Sequence, residues 1–366
     1  MSEPSSPELR DLLVLHLVPG LGPRLTAALL ERFGSGGGVL HATQEQLRTV
    51  PHIGPKLAED FFQAIRRADV DAELQRIAEH NVRLLRLGTA DYPAALATIT
   101  DPPHLLYLRG ALLPADDKAF AIVGSRSCTS YGKRMAERLA AGIVRAGYTV
   151  VSGLARGIDG AAHRGALQAG GRTIAVLAGG LAKIYPPEHA DLAREVEASG
   201  ALLSESPMTF EPMATMFPAR NRLISGISRG VVIVEAAERS GALITARHAL
   251  EQGRDVFAVP GPVDSPASAG THRLLRQGAK LIRDANDILE DLGGIGVPAA
   301  PVKPQPPPGL DDTQRRVWEA LGDQPQHIDN LSRTLGMAVP QLSGLLMTME
   351  LKKLVRRLPG NQYERR

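Results

Sequence analysis

Tyr148-Thr149-Val150-Val151-Ser152-Gly153-Leu154-Ala155-Arg156-Gly157-Ile158-Asp159 passes from an apolar run into a glycine-punctuated polar turn, then into a helical stretch through Ala161-Ala162-His163. A short apolar run without alternation is the pattern of a strand buried on both faces. The passage recurs along the chain: Phe120 to Val123 leads into Gly124-Ser125-Arg126, Ala201 to Leu203 precedes Phe217-Pro218-Ala219-Arg220-Asn221-Arg222, and Val231 to Val234 precedes Ser240-Gly241-Ala242-Leu243-Ile244-Thr245. Thr173 to Leu177, Val256 to Val259 and Leu281-Ile282 extend the series, with helical stretches such as Met135 to Arg145 and Ala242 to Gln252 between them. Strands alternating with helices predict an α/β, doubly wound parallel sheet. Leu84 to Leu87 and Leu105 to Leu108 read as two strands preceding it. Loops leaving the carboxyl ends of parallel strands converge on one edge, and ligands bind there.

The chain has 366 residues, enough for two or three domains. Its net charge of +3 excludes a wholly basic, DNA-wrapping protein, so any nucleic-acid site must be a local patch. Aromatics are 4% of residues, which argues against a surface built on extensive base stacking. The single cysteine, Cys128, excludes a disulfide framework and a CxxC zinc site, and the ten histidines show no metal-ligand spacing. No apolar run approaches a membrane span and the start is polar, so a cytoplasmic protein is expected.

Residues 1–80 read as helices joined by tight turns. Val18-Pro19-Gly20-Leu21-Gly22-Pro23 is echoed by Val50-Pro51-His52-Ile53-Gly54-Pro55, each followed by a cation, Arg24 and Lys56. This resembles a helix-hairpin-helix pair, in which a helix start faces a phosphate. Residues 81–292 hold the sheet, and 293–310 read as a proline- and glycine-rich linker. Residues 311–366 match a winged helix-turn-helix order, with helices near 313 to 321, 328 to 335 and 339 to 350. The third of these offers Gln341, Ser343, Thr348 and Glu350 but no Arg or Lys, which argues against major-groove reading.

The loops supply chemistry suited to phosphate without the usual phosphate loop: neither G-x-G-x-x-G nor a Walker A is present. Arg126 and Arg156 follow adjacent strands, where a guanidinium and a helix start together favour an anion. Pairing of Arg126 with Asp159 is the bland alternative. In Phe217-Pro218-Ala219-Arg220-Asn221-Arg222 the arginines can hold successive phosphates and Phe217 can stack on an unpaired base. Ser240, Gly241 and Thr245 lie at another helix start, useful for phosphate or for capping. Asp159 reads as a helix-opening cap and His163 as structural. Cys128, near a helix start, is a candidate for a lowered thiol pKa, with no partner to make it a nucleophile.

These motifs, together with Val256-Phe257-Ala258-Val259-Pro260-Gly261, resemble in order and spacing the DNA-processing protein A (DprA/Smf) family. The family's Gly-Thr-Asn reads Gly270-Thr271-His272 here, so no role passes to that asparagine. The resemblance implies an extended Rossmann-like domain between a SAM/helix-hairpin-helix-like domain and a winged-helix domain. It implies a non-enzymatic mediator of natural transformation, with no cofactor or metal, that protects incoming single-stranded DNA and loads RecA recombinase onto it. The implied DNA-binding residues are Gly124, Ser125, Arg126, Gly153, Arg156, Phe217, Arg220, Asn221, Arg222, Ser240, Gly241 and Thr245. The implied homodimer forms around His272, Leu275 and Leu281, and weak duplex contact through the flanking domains is allowed. The rival is a nucleotide-processing hydrolase, for which Leu177-Ala178-Gly179-Gly180 and Glu235 are the nearest fragments.

Overall fold

A computed structural model describes residues 6–291, 307, 309–322 and 325–365, so the expected linker falls largely outside the described residues. Contacts divide the chain into two compact units, Met1–Ala299 and Ala300–Arg366. In the first, seven strands form a parallel array: β3 (Ala119–Val123), β4 (Thr149–Ser152), β5 (Thr173–Leu177), β6 (Ala201–Ser204), β7 (Gly230–Ile233), β8 (Asp255–Ala258) and β9 (Lys280–Leu281). The two earlier runs, β1 (Arg83–Arg86) and β2 (Leu105–Gly110), join the same sheet antiparallel beyond β6. The order is β1-β2-β6-β5-β4-β3-β7-β8-β9. From β3 the chain winds outward through β4, β5 and β6, then returns to the other side of β3 for β7, β8 and β9. The β3/β7 boundary is therefore the topological switch point, where open α/β sheets leave a crevice.

The strand residues are buried because both faces are covered. Ala119, Ala121 and Val123 face a core shared with Leu223, Ile224 and Ala246, from the helices Met216–Gly226 and Ala242–Glu251. Phe120 and Ile122 face the opposite core, shared with Leu139, Ile143 and Ala162 from the helices Ser130–Arg145 and Ile158–Gln168. The two-residue period of a strand divides consecutive side chains between these cores.

At the amino end, Leu9, Leu13, Val70 and Ile77 pack against Tyr107, Leu177 and Leu202 of the sheet. The helices Pro23–Phe33 and Pro55–Arg67 each start with proline after an extended glycine, Gly22 or Gly54. Gly20 has φ +79° and His52 φ +68°, so the histidine takes the left-handed turn that glycine makes in the other copy. In the second unit, the helices Asp312–Leu321, Ile328–Leu335 and Val339–Leu351 enclose a core of Val317, Trp318, Leu331, Leu342 and Leu346. A small antiparallel sheet, β10 (Gln326–His327), β11 (Val355–Leu358) and β12 (Gln362–Arg365), completes it. No helix among the described residues is long and apolar enough to cross a membrane.

Candidate nucleic-acid interface

A cavity of about 460 Å³ opens at the switch point. Gly124, Ser125 and Arg126 line it from the end of β3; Phe217, Arg220 and Asn221 from the helix Met216–Gly226; and Ser240 and Gly241 from the turn into the helix Ala242–Glu251, with Thr245 from that helix itself. Helices that begin at the carboxyl ends of strands point their positive ends at this space. Arg239 also lines it, a cation to which no motif drew attention. Thr245 is almost wholly buried, as its place inside a helix facing the sheet requires.

The loop after β3 is held from β7. Glu235 accepts from the Ser125 backbone N–H through its carbonyl (2.8 Å), and from the Thr129 N–H (2.9 Å) and hydroxyl (2.5 Å) through its carboxylate. Ser125 in turn accepts from the N–H of Ile158 at 3.2 Å, which brings the β4 turn alongside. Gly157 sits in that turn at φ +74°, and a Cβ there would lie 2.2 Å from the Ser125 carbonyl oxygen. Arg126 is exposed, and its guanidinium lies 4.3 Å from the Phe217 ring centroid, a cation–π contact that keeps the charge at the cavity.

Behind it lies a buried pair. Arg220 donates to the carbonyls of Gly153 (2.7 Å) and Val176, and its Nε donates to Asn221 Oδ1 at 3.2 Å. Asp159 accepts from the N–H groups of Gly153 (3.2 Å) and Ala155 (3.4 Å), so it braces the β4 turn from within the first turn of its helix. A Cβ on Gly153 would lie 2.5 Å from Arg220 and 2.6 Å from Asp159, so only glycine lets both groups approach. Burial drives the Asp159 carboxyl above its ordinary value, opposed chiefly by Arg220, and drives Arg220 down to about 10, opposed by Asp159. A buried floor of mutually compensating Arg220 and Asp159 results, and Arg126 supplies an exposed cation at the cavity.

Phe217 to Arg222 is not a loop but the start of the helix Met216–Gly226, and this changes the expectation for Arg222. Residues two apart on a helix face different ways. While Arg220 reaches the cavity, Arg222 is turned to Glu205, bound at 2.6 and 2.7 Å, and to the Asp101 carbonyl at 2.8 Å. Its guanidinium is thereby occupied away from the cavity. Gly153 and Arg156 line a second, narrow recess that shares Arg126 and Phe217 with the cavity. Arg156 is half-exposed and ion-paired with Glu188.

Three further expectations are altered or sharpened. Cys128 has its thiol pushed up, first by burial and then by the Glu235 carboxylate, the reverse of the lowering expected at a helix start. His163 is buried with Nδ1 2.7 Å from the Thr173 hydroxyl, and burial holds it down to about 3. The fragments of the hydrolase pattern are occupied by the chain itself. A Cβ on Gly180 would lie 2.0 Å from the Pro207 carbonyl oxygen, and both Glu235 oxygens serve Thr129. Among the described residues no group of His, Cys, Asp and Glu could hold a metal ion.

Of the residues expected at a dimer contact, Leu275 packs partly against the core and Leu281 is half-exposed on the edge strand β9. His272 Nε2 lies 3.0 Å from the Gly261 carbonyl oxygen. Leu274, next to Leu275 in the chain, belongs to the core.

Residues 83–293 match the family model for DNA recombination-mediator protein A, and residues 301–361 the model for a DprA winged helix domain. Protein Smf of Escherichia coli is 41% identical over 305 residues, covering 82% of each chain. The DNA processing protein DprA of Bacillus subtilis is 40% identical over 275 residues, 73% of this chain and 91% of that one. The X-ray structure of DNA processing protein A from Streptococcus pneumoniae superposes with a TM-score of 0.68 at 34% identity, covering 77% of this chain and 97% of its own. That of the Helicobacter pylori protein, reported for its single-stranded DNA binding mode, gives 0.53 at 31% identity, over 59% and 97%. The chain belongs to the DNA recombination-mediator protein A family.

Proposed function

We propose that this family member binds single-stranded DNA in the switch-point cavity, protects it, and helps load RecA recombinase onto it during natural transformation. The observation that carries the reading is the convergence of Arg126, buried Arg220, Phe217 and the start of the helix Ala242–Glu251 on one cavity. Arg126 offers a planar donor fork to a backbone phosphate. Phe217 offers a ring to a base, which only an unpaired strand can present. Gly153 and Arg220 shape the floor, Asn221 ties the helix to Gly241 (3.3 Å), and Arg156 adds charge at the neighbouring recess.

The protein acts in the cytoplasm as a homodimer through its β9 side. An edge strand carries unpaired backbone groups, and Leu281 adds an exposed apolar side chain to it. We divide the chain into a helical domain (1–80), the DNA-binding domain (81–292), a linker (293–310) and a winged-helix domain (311–366), the first and last contributing at most weak duplex contact.

Fluorescence anisotropy with a labelled single strand and its duplex is the direct test. The single strand should bind more tightly, become resistant to nuclease, and accept RecA faster with the protein than without it. Equal affinity for duplex, or enzyme-dependent release of base or phosphate from nucleotides that survives repurification, would overturn the reading.

A further inference from the structure

We propose that Tyr185, with Arg156 and Lys183, forms a second nucleotide subsite beside the cavity, the ring taking an unpaired base and the cations the phosphate next to it. This rests on the reading that the cavity holds single-stranded DNA. Tyr185 is the aromatic residue among the large apolar side chains that stand exposed in the described structure, at 42%. It does not stand alone. Its ring lies 6.0 Å from that of Phe217, and the Arg126 guanidinium lies 4.3 Å from Phe217. Tyr185 and Arg156 line the same recess. Arg126, Phe217, Tyr185 and Arg156 thus form one continuous array leading out of the cavity.

The recess under this array is lined by Arg126, Arg156, Lys183, Tyr185 and Phe217, but its free volume is only about 20 Å³. That is about the space for one water and far less than a base requires. A base must therefore lie across the rim, on the exposed Tyr185 ring, and not inside. The rim cations are available for exchange. Arg156 pairs with Glu188 and Lys183 with Glu211, and all four side chains are about half or more exposed. Exposed pairs of this kind are screened by water and add little net stability, so a phosphate can displace the carboxylates. Alternating aromatic rings and cations along a groove is how single strands are bound without regard to sequence.

The test compares an oligothymidylate with an abasic sugar-phosphate oligomer of equal length, using full-length wild type, Tyr185→Ala, Tyr185→Trp and Arg126→Ala. Tyr185→Ala should bind the oligothymidylate about 5- to 150-fold more weakly, the span corresponding to ~1–3 kcal/mol for one stacked base. On the abasic oligomer it should match wild type within about twofold, and Tyr185→Trp should retain affinity for both. Photocrosslinking of an iodouracil-bearing oligomer to the unaltered protein should label the peptide containing Tyr185, independently of how any variant folds. If Arg126→Ala weakens binding while Tyr185→Ala does not, or if crosslinks reach Phe217 alone, the second subsite is refuted and the cavity reading stands. If Arg126→Ala binds like wild type, the cavity reading fails and this proposal with it.

Discussion

Two arginines separate the DNA-binding reading from a purely structural one: Arg126→Ala should change the salt dependence of binding, and Arg222→Ala the stability. Arg126 is exposed and its described contact is the Phe217 ring at 4.3 Å. Losing an exposed cation–π contact costs about 0.5–1 kcal/mol, so Tm should fall by no more than about 3 °C. Each neutralised phosphate of a single strand adds about 0.7 to the slope of log affinity against log salt. Between 1 M and 0.1 M salt that one contact is worth about fivefold, so Arg126→Ala should bind about fivefold more weakly at the lower salt and converge on wild type at the higher. Arg222 is buried and holds Glu205 through two contacts. Its removal leaves Glu205 without its partner, a loss of about 3 kcal/mol or more and a Tm drop of about 6 °C or more. The salt slope of the folded Arg222→Ala fraction should equal that of wild type. Anisotropy titrations across a salt series, with calorimetry of the same samples, read both quantities. A folded Arg126→Ala with an unchanged slope would refute the reasoning, as would an Arg222→Ala that flattens the slope while Tm holds.

Leu281→Arg, at an exposed edge-strand position, should turn a dimer into a monomer by sedimentation velocity without lowering Tm; an unchanged dimer puts the interface elsewhere. Removal of residues 311–366, which belong to a separate compact unit, should leave single-strand affinity within tenfold of the full chain, and a larger loss in a folded truncation makes that unit a principal DNA site. Acid should destabilise the fold through its buried histidines. His163 and His16 are held by burial at about 3 and about 4, below the ordinary 6.5, so unfolding takes up protons. Their stabilising share is complete above pH 6.5 and is lost as pH falls towards the folded values, by about 1.4 kcal/mol per pH unit for each. Asp159, held above its ordinary value, opposes this at the acid end. Thermal scans should show Tm falling from pH 6.5 to pH 4, less steeply in His16→Phe; parallel curves for the two proteins reject the assignment.

Much of the fold was legible because its signals are local. Buried parallel strands read as short apolar runs, and all nine strands of the sheet fall on runs visible in the sequence, with ends shifted by a residue or so. The loops that carry Gly124 to Arg126, Gly153 to Arg156 and Ser240-Gly241 follow strands directly, so their gathering at one edge follows from the alternation of strand and helix. What each side chain meets there depends on residues far away in the chain. The Cys128 thiol is pushed up first by burial and then by Glu235, more than a hundred positions later in the chain, and neither is visible in its place near a helix start. Arg156 meets Glu188 across the turn after β5, a pairing that motif reading does not contain. Arg220 and Arg222 look equivalent in sequence. Helical phase sends one to the cavity and the other to Glu205, and only the tertiary structure decides that the segment is a helix at this point. Strand identity is set by hydrophobic burial over a few residues, whereas the charge and partner of a site group are set by strand order, which brings distant segments within hydrogen-bonding range.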